Sequence, residues 1–326
     1  PHDVNVPRMV NSIKKTLAYA SENFGPYTHK QARIVEFPRF AQFAQSFVGT
    51  MPCSESAGFI ADLSDEEAID MVFYIIAHEI GHQWWAHQVT GAAVQGETFL
   101  SETLAQYTAM MVMEQEYGRE KMHKYLRYEM DKYLRGRGRE SKKEMPLARN
   151  ESQPYIHYNK GGVTMYALRD YIGEENVNLA LKRFVEKHAY TEPPYPTSLD
   201  LMREFRAVTP DSLQPMLYDM FESITLFSNR VTDASYRHLD NGKYLLYLTV
   251  ESKKFRADSI GVETEIPVDD WIDIGVYAKG SKERSEPIYF VRQKIDQSKM
   301  ELKIELDAEP GRAGIDPNFL LIDRFP

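Results

Sequence analysis

The sequence predicts an α+β fold in which a mainly helical domain, residues 1–228, is followed by a small antiparallel β-sandwich, residues 229–326. Three observations lead to this prediction. Segments with apolar residues at helical spacing dominate the chain up to residue 228. Beyond that point, short alternating segments are separated by turn residues, which is typical of strands. The length of 326 residues is ample for two domains.

The helical region begins with the amphipathic segment RMVNSIKKTLAYASENFG, which Gly25 ends. A short alternating segment, ARIVEF, then predicts a strand. The next helix is expected to begin at Ser64, because Ser64 and Glu67 form a capping-box pattern ahead of an apolar run. Further helices are predicted in the segments SETLAQYTAMMVMEQEYG, REKMHKYLRYEMDKYLRG, KGGVTMYALRDYIG, EENVNLALKRFVEKH and SLDLMREFRAV.

The β region is recognised by its turn signals. In RVTDASYRHLDNGKYLLYLTVES, two alternating stretches lie on either side of Asp-Asn-Gly, which is typical of a β-hairpin. Further strands are predicted in the segments WIDIGVYA, PIYFVRQKI, KMELKIEL and FLLIDRF. Short strands at such regular spacing are typical of a sandwich of two antiparallel sheets.

The composition excludes several classes of protein. A net charge of −9 argues against a nucleic-acid partner, because that function needs a basic surface. The one cysteine, Cys53, excludes internal disulfides and cysteine-rich metal sites. No apolar run reaches the roughly 18 residues of a membrane span. The chain opens with neither an initiator methionine nor a signal peptide, so we expect it to be a piece of a longer protein.

A candidate metal site stands out in the segment IIAHEIGHQWWAHQV. His78 and His82 lie four residues apart, which places both imidazoles on one face of a helix. Glu79 is turned about 100° away, where it can reach a water molecule on the ion without ligating the ion itself. Alternatively these are chance residues, but burying two imidazoles and a carboxylate without partners would cost several kcal/mol. A shared metal ion offsets that cost.

A catalytic zinc ion takes three protein ligands and keeps one position for water. The following segment, GETFLSETLAQY, offers two candidates for the third ligand, Glu97 in a predicted loop and Glu102 at the start of a predicted helix. We therefore expect one Zn²⁺ per chain, held by His78, His82 and a carboxylate. Zinc lowers the pKa of its water toward about 7, and Glu79 is placed to take the proton as the water attacks a carbonyl carbon.

The residues HEIGHQWWAHQV and FLSETLAQY together resemble the HExxH-x18-E signature of the gluzincin zinc aminopeptidases, the group of aminopeptidase N and leukotriene hydrolase. The resemblance implies a thermolysin-like catalytic domain that removes N-terminal residues from peptides with a free N-terminus. It favours Glu102 over Glu97, because Glu102 has the family's L-x-E context. Nineteen residues, Gln83 to Ser101, separate His82 from Glu102, one more than in the family. We expect the extra residue to bulge in the loop TGAAVQGET.

Two further matches extend the resemblance. The segment IHYNKGGVTMYALRDYIG is similar to the family's VYEKGAEVIRMIHTLLG, which implies that Tyr158 donates a hydrogen bond to the oxyanion of the tetrahedral intermediate. The segment SESAGFI aligns with the family's MENWGLI, which places Glu55 at the glutamate that grips the substrate's α-amino group. Ser54 and Ser56 replace the family's methionine and asparagine beside that glutamate.

The altered residues beside Glu55 leave two alternatives open. One is an endopeptidase that uses the same site. The other is a zinc-binding structural or interaction module of a larger membrane-associated assembly. Whole family members carry an N-terminal β-domain that has no counterpart here, and some bacterial relatives are peptidase domains attached to a membrane permease. A membrane tether through a missing N-terminal part is therefore one expectation for the full-length protein, while this chain is expected to behave as a soluble fragment.

Overall fold

The structure, a computed structural model, describes residues 2–65, 67–282 and 285–326. The chain divides into two compact units. One consists of the residues through Tyr133 together with Met145–Glu222, and the other of Leu134–Glu144 together with Ser223–Pro326. The first unit is mainly helical and the second is built from antiparallel sheets, so the predicted α+β fold is confirmed. The domain boundary at residue 229 stays a prediction.

The helices within the described residues are α1 (Val6–Asn23), α2 (Met71–Gly81), α3 (Leu104–Tyr117), α4 (Arg119–Arg137), α5 (Gly161–Ile172), α6 (Glu174–His188), α7 (Ser198–Val208) and α8 (Gln214–Phe221). Three π-helical turns, Glu55–Phe59, Phe99–Thr103 and Tyr155–Lys160, connect these elements. Strands β1 (Arg33–Phe37) and β2 (Thr50–Ser54) pair in parallel. In the ranges that the structure describes, we find no helix with the length and apolar character that crossing a membrane requires.

Helix α2 packs against both α1 and α3 in the first unit. Five of its apolar side chains are fully buried: Val72, Phe73, Ile76, Ala77 and Ile80. Burying each of the larger ones contributes about 1.5–3 kcal/mol, which explains why this short helix has no polar face over most of its length. The polar residues His78 and Glu79 at its C-terminal end are also buried, and they therefore need partners.

The predicted start of this helix at Ser64 is wrong. Helix α2 begins at Met71, and the residue that caps it is Asp70, whose carboxylate accepts a hydrogen bond from the backbone N–H of Phe73 at 2.9 Å. Asp70 also accepts a bond from the Tyr117 hydroxyl and pairs with Arg8. Ser64 instead lies in an exposed loop, where its N–H bonds the side chain of Asp62. Glu66, in the same predicted helix, lies outside the described residues.

Asp70→Ala is expected to lower the free energy of unfolding by about 1–3 kcal/mol, because it removes a helix cap and leaves the Tyr117 hydroxyl without its acceptor. Ser64→Ala, the residue that the sequence pattern favoured as the cap, should change it by less than about 0.5 kcal/mol. Urea unfolding of the two variants and the parent measures both values. Equal losses in the two variants would contradict the assignment of Asp70 as the cap.

In the second unit, the strands in the described ranges are β3 (Ile224–His238), β4 (Tyr244–Ala257), β5 (Glu263–Ile266), β6 (Asp270–Ala278), β7 (Tyr289–Ile295), β8 (Lys299–Leu306) and β9 (Pro310–Ile315). One antiparallel sheet pairs β4 with β3, β5 and β8, and the other has the order β7-β6-β9. The hairpin predicted around Asp-Asn-Gly is confirmed, since β3 and β4 pair along their length on either side of it. Alternate residues of β4 are buried, as its sequence pattern predicts.

The predicted strand FLLIDRF is wrong, because the chain bends there. Asp316 is buried, and its carboxylate accepts the backbone N–H groups of Leu320 and Leu321 at 3.0 and 2.9 Å. The segment keeps only a single bridge, between Phe227 and Asp323. The strand found in this part of the chain is β9, although its sequence PGRAGI shows no alternation of apolar and polar residues. Strand β5 was not predicted either.

Candidate active site

Two imidazoles face each other at the C-terminal end of α2. The Nε2 atoms of His78 and His82 lie 3.1 Å apart, and both side chains are buried. This end of the helix can lie close to α3 because residue 81 is a glycine. A Cβ at Gly81 would lie 3.1 Å from the Cα of Ala105, which is tighter than an ordinary contact. The close approach of α2 and α3 therefore depends on glycine at this position.

Glu102 completes a group of three donor atoms. It lies in the π-helical turn Phe99–Thr103, and its Oε2 is 3.2 Å from Nε2 of His78 and 3.3 Å from Nε2 of His82. Four ligands bound tetrahedrally to zinc at about 2.0–2.2 Å lie about 3.3–3.6 Å from one another. The three donor atoms, 3.1, 3.2 and 3.3 Å apart, come close to that spacing, so His78, His82 and Glu102 form a group that could hold a metal ion.

The orientation and charge of these ligands also suit a cation. Nδ1 of His82 lies 2.9 Å from the carbonyl oxygen of Trp85, which assigns the ring proton to Nδ1 and leaves Nε2 free to ligate. Burial would raise the pKa of Glu102, but its hydrogen bonds with His78 and His82 hold that pKa well below the ordinary value. Glu102 is therefore an anion at neutral pH. Nδ1 of His78 is buried and has no hydrogen-bond partner among the described residues.

The rival ligand Glu97 is exposed and does not belong to this group. It follows Gly96, whose φ of +88° lies in the region that favours glycine, and the chain reverses there before entering the turn that carries Glu102. The structure thus brings together the two histidines and the carboxylate that the family resemblance favoured.

Glu79 borders the metal group without joining it. Its side chain is buried, and burial raises the pKa of its carboxyl group; the negative charge of Glu102 acts in the same direction, whereas His78 and His82 oppose it. A carboxylate whose pKa is raised is a better proton acceptor near neutral pH than an exposed one. The backbone carbonyl of Glu79 accepts a hydrogen bond from the Ser46 hydroxyl at 2.8 Å, which fixes this turn of the helix.

Tyr158 lies in the π-helical turn Tyr155–Lys160. Its ring centroid is 5.7 Å from that of His78, and its hydroxyl is near enough to Glu102 for the two groups to interact. Burial, followed by the charge of Glu102, raises the pKa of Tyr158 far above its ordinary value, so the phenol keeps its proton at neutral pH. The side chain can therefore donate a hydrogen bond.

His157 is a neighbour of Tyr158, and its position relative to the site could not be established from the sequence. Its ring packs edge-on against Tyr158 with centroids 4.5 Å apart, and burial lowers the pKa of His157 to about 4. The imidazole is therefore neutral at pH 7. Histidine directly before this tyrosine was the available signal, but one histidine beside an aromatic residue does not distinguish packing from a role at the site.

Glu55 begins the π-helical turn that follows β2. Its carboxylate accepts the backbone N–H of Arg39 at 3.1 Å and lies 3.7 Å from Nε of Arg39 and 3.5 Å from Nδ1 of His2. These described contacts of Glu55 are with Arg39 and His2 and not with members of the metal group. Cys53, two residues earlier, is buried, which raises the pKa of its thiol to about 11 and makes it a poor nucleophile.

Comparisons with known proteins agree with this geometry. The model of the peptidase family M1 domain matches residues 8–218. Endoplasmic reticulum aminopeptidase 2 of Homo sapiens is 24% identical over 172 residues, which cover 50% of this chain and 18% of that protein. Probable aminopeptidase 1 of Sulfurisphaera tokodaii is 25% identical over 191 residues, which cover 56% of this chain and 24% of that protein. The chain therefore spans about a quarter or less of these relatives.

The crystal structure of Legionella pneumophila aminopeptidase A in complex with aspartic acid superposes on this chain with a TM-score of 0.60. The match covers 97% of this chain and 34% of that one, at 18% identity, and it shows a shared fold. The family match extends over most of the chain and includes α2, the turn that carries Glu102 and the turn that carries Tyr158. On this basis, the chain belongs to peptidase family M1.

Proposed function

We propose that this chain is a zinc-dependent aminopeptidase that hydrolyses the N-terminal peptide bond of peptides. The observation that carries the proposal is the group formed by His78, His82 and Glu102, whose donor atoms have tetrahedral spacing. A proton acceptor, Glu79, and a proton-bearing phenol, Tyr158, border that group on different elements of the fold. Membership of peptidase family M1 and the aminopeptidase names of the relatives support the same conclusion.

The chemistry follows from the charges at the site. Zinc held by His78, His82 and Glu102 would make its water acidic and would polarise the scissile carbonyl. Glu79 accepts the proton of the attacking water and then donates it to the leaving amine, so that the amine departs uncharged. Tyr158 donates its O–H to the oxyanion of the tetrahedral intermediate, and that bond strengthens as negative charge develops.

Tyr158→Phe is expected to lower kcat by about 10²–10³, because it removes one donor to the oxyanion, and to leave KM and zinc content nearly unchanged. The matched control is Tyr166→Phe, which removes a buried hydroxyl that bonds Glu114, away from the metal group. The control should lose stability and keep kcat. Steady-state kinetics on an aminoacyl chromogenic amide measures both variants; a change confined to KM would contradict the role of Tyr158.

The exopeptidase part of the proposal rests on Glu55. A free α-ammonium group is a compact cation that a carboxylate can hold by a charge-assisted hydrogen bond, and this contact would restrict cleavage to the first peptide bond. Glu55 already has Arg39 and His2 as neighbours, and a substrate amine would have to compete with these contacts. These contacts favour an endopeptidase as the second candidate function.

The test compares peptides with a free N-terminus and their acetylated twins. The aminopeptidase proposal predicts that only the free peptides are cut, and that Glu55→Ala costs about 2–4 kcal/mol of transition-state binding for free peptides and almost nothing for acetylated ones. Equal cleavage of both kinds, unaffected by Glu55→Ala, would replace the aminopeptidase with the endopeptidase. A chain that binds zinc and cleaves neither kind would instead be the structural module.

A further inference from the structure

Behind the candidate site lies a buried carboxylate to which the proposed reaction gives no role. Glu129, on α4, is only 3% exposed. It accepts a hydrogen bond from Nδ2 of Asn159 at 2.6 Å and another from the hydroxyl of Tyr125. A carboxylate is costly to bury and is stabilised there only by well-placed donors. The partner Asn159 directly follows Tyr158.

The turn that carries Tyr158 is held on both sides of that residue. The carbonyl oxygen of His157, directly before it, accepts a hydrogen bond from Oγ1 of Thr103 at 2.6 Å. Asn159, directly after it, is held by Glu129. Thr103 in turn directly follows the ligand Glu102. The turn is therefore tied to the ligand turn through the His157 backbone carbonyl and to α4 through the Asn159 side chain.

The bonds continue from Glu129 to α2, which carries His78, and to α3, which follows the turn that carries Glu102. The hydroxyl of Tyr125 accepts a hydrogen bond from Nε2 of Gln106 at 2.8 Å, and Oε1 of Gln106 accepts one from the hydroxyl of Tyr74. Gln106 follows Glu102 by four residues, and Tyr74 precedes His78 by four. We call Tyr74, Gln106, Tyr125, Glu129 and Asn159 the Glu129 network. It touches α2, α3 and the Tyr158 turn.

The packing beside this network leaves little room for the turn to move. A Cβ on Gly161 would lie 2.6 Å from Oγ1 of Thr103, and a Cβ on Gly162 would lie 3.0 Å from Cγ of Gln106. The start of α5 therefore lies directly against α3. A shift of the turn in that direction would produce overlap, and the bond between Asn159 and Glu129 holds the turn to α4.

We propose that Glu129 is a positioning residue that, through Asn159, holds the Tyr158 hydroxyl where the oxyanion forms. The role rests on the function proposed above for Tyr158. Oxyanion stabilisation is sensitive to geometry, because a displacement of about 1 Å at a reacting group can cost about 10²-fold in rate. Glu129 itself touches neither the metal group nor substrate; it acts by fixing the turn.

The first test is a double-mutant cycle in the metal-loaded chain. Asn159→Ala should lower kcat by about 10- to 100-fold with KM within about 2-fold and zinc content unchanged. In the Tyr158→Phe background the same change should cost less than about 3-fold, because the hydroxyl that it positions is already gone. An equal loss in both backgrounds would overturn the proposal, since a general structural defect does not depend on Tyr158.

Rescue and a control sharpen this test. Asn159→Asp sets two carboxylates against each other and should lower kcat as Asn159→Ala does. Adding Glu129→Gln restores an amide–carboxylate pair with the roles reversed and should return kcat to within about 3-fold of the parent. Glu114→Gln is the matched control, since Glu114 is a carboxylate that bonds a tyrosine and an arginine away from the site. It should leave kcat unchanged; failure of the rescue would count against the proposal.

A second readout is independent of turnover. With 3-fluorotyrosine at position 158, ¹⁹F NMR of the full chain should show a single sharp resonance. The resonance should shift or broaden in Asn159→Ala and remain unchanged in Glu114→Gln. If the parent cleaves no peptide but the resonance responds in this way, the proposed function fails and the positioning role of the Glu129 network stands. An unchanged resonance in Asn159→Ala would refute the positioning role whatever the activity.

Discussion

Glu79→Gln is expected to keep its zinc and to lose peptidase activity by about 10²–10⁴-fold, because the amide has the shape of the carboxylate but cannot accept the proton of the attacking water. The expectation follows from where Glu79 lies. It is buried beside the metal group, and burial raises the pKa of its carboxyl group. It does not contribute one of the three donor atoms. Removing its charge should therefore affect the proton transfer and not the ligand set.

The measurement pairs kcat with zinc content on the same sample. Glu97→Gln is the control, because Glu97 is an exposed glutamate close to the site in sequence that does not join the metal group. It should match the parent in both quantities. If Glu79→Gln turned over within a few-fold of the parent while holding zinc, another group would have to be the base. Loss of zinc in this variant would place Glu79 among the ligands.

His82→Ala is expected to abolish both zinc binding and activity. Two remaining protein ligands bind zinc poorly, since catalytic sites use three. His82 is oriented by the carbonyl of Trp85 and faces both other donor atoms, so no neighbouring side chain of the group can take its place. Glu102→Gln should likewise lose zinc. Elemental analysis after dialysis, together with kcat, measures both variants.

The matched control for His82→Ala is His87→Ala. His87 follows His82 by five residues, and its Nε2 lies 3.3 Å from the carbonyl oxygen of Ser46. The His87→Ala variant should bind zinc as the parent does. Retention of a full equivalent of zinc by His82→Ala, or its loss in His87→Ala, would show that the ligand set proposed here is wrong.

The parts of the site that depend on local spacing could be predicted from the sequence. The positions of His78, Glu79 and His82 relative to one another follow from the geometry of one helix. The meeting of Glu102 with these histidines depends on a loop and on the close approach of α3 at Gly81, and only the family resemblance pointed to it. The sequence alone left Glu97 open, because either carboxylate could follow the loop.

Features that depend on contacts between distant segments could not be predicted. The capping box at Ser64 is a valid local pattern, but Asp70 is the cap because Arg8 and Tyr117 from other helices hold its carboxylate. The Glu129 network was missed for the same reason. Its members lie on three helices and a turn, and a buried glutamate in a helix of mixed charge leaves no distinct pattern in the sequence.

The central claim is that one zinc ion on His78, His82 and Glu102 activates water for peptide hydrolysis. Titration of the metal-free chain with zinc, followed by the rate on an aminoacyl chromogenic amide, tests it most directly. The rate should rise linearly from near zero and level off at about one equivalent of zinc per chain. A rate that is already full in the metal-free chain, or that stays at zero when one equivalent is bound, would contradict the claim.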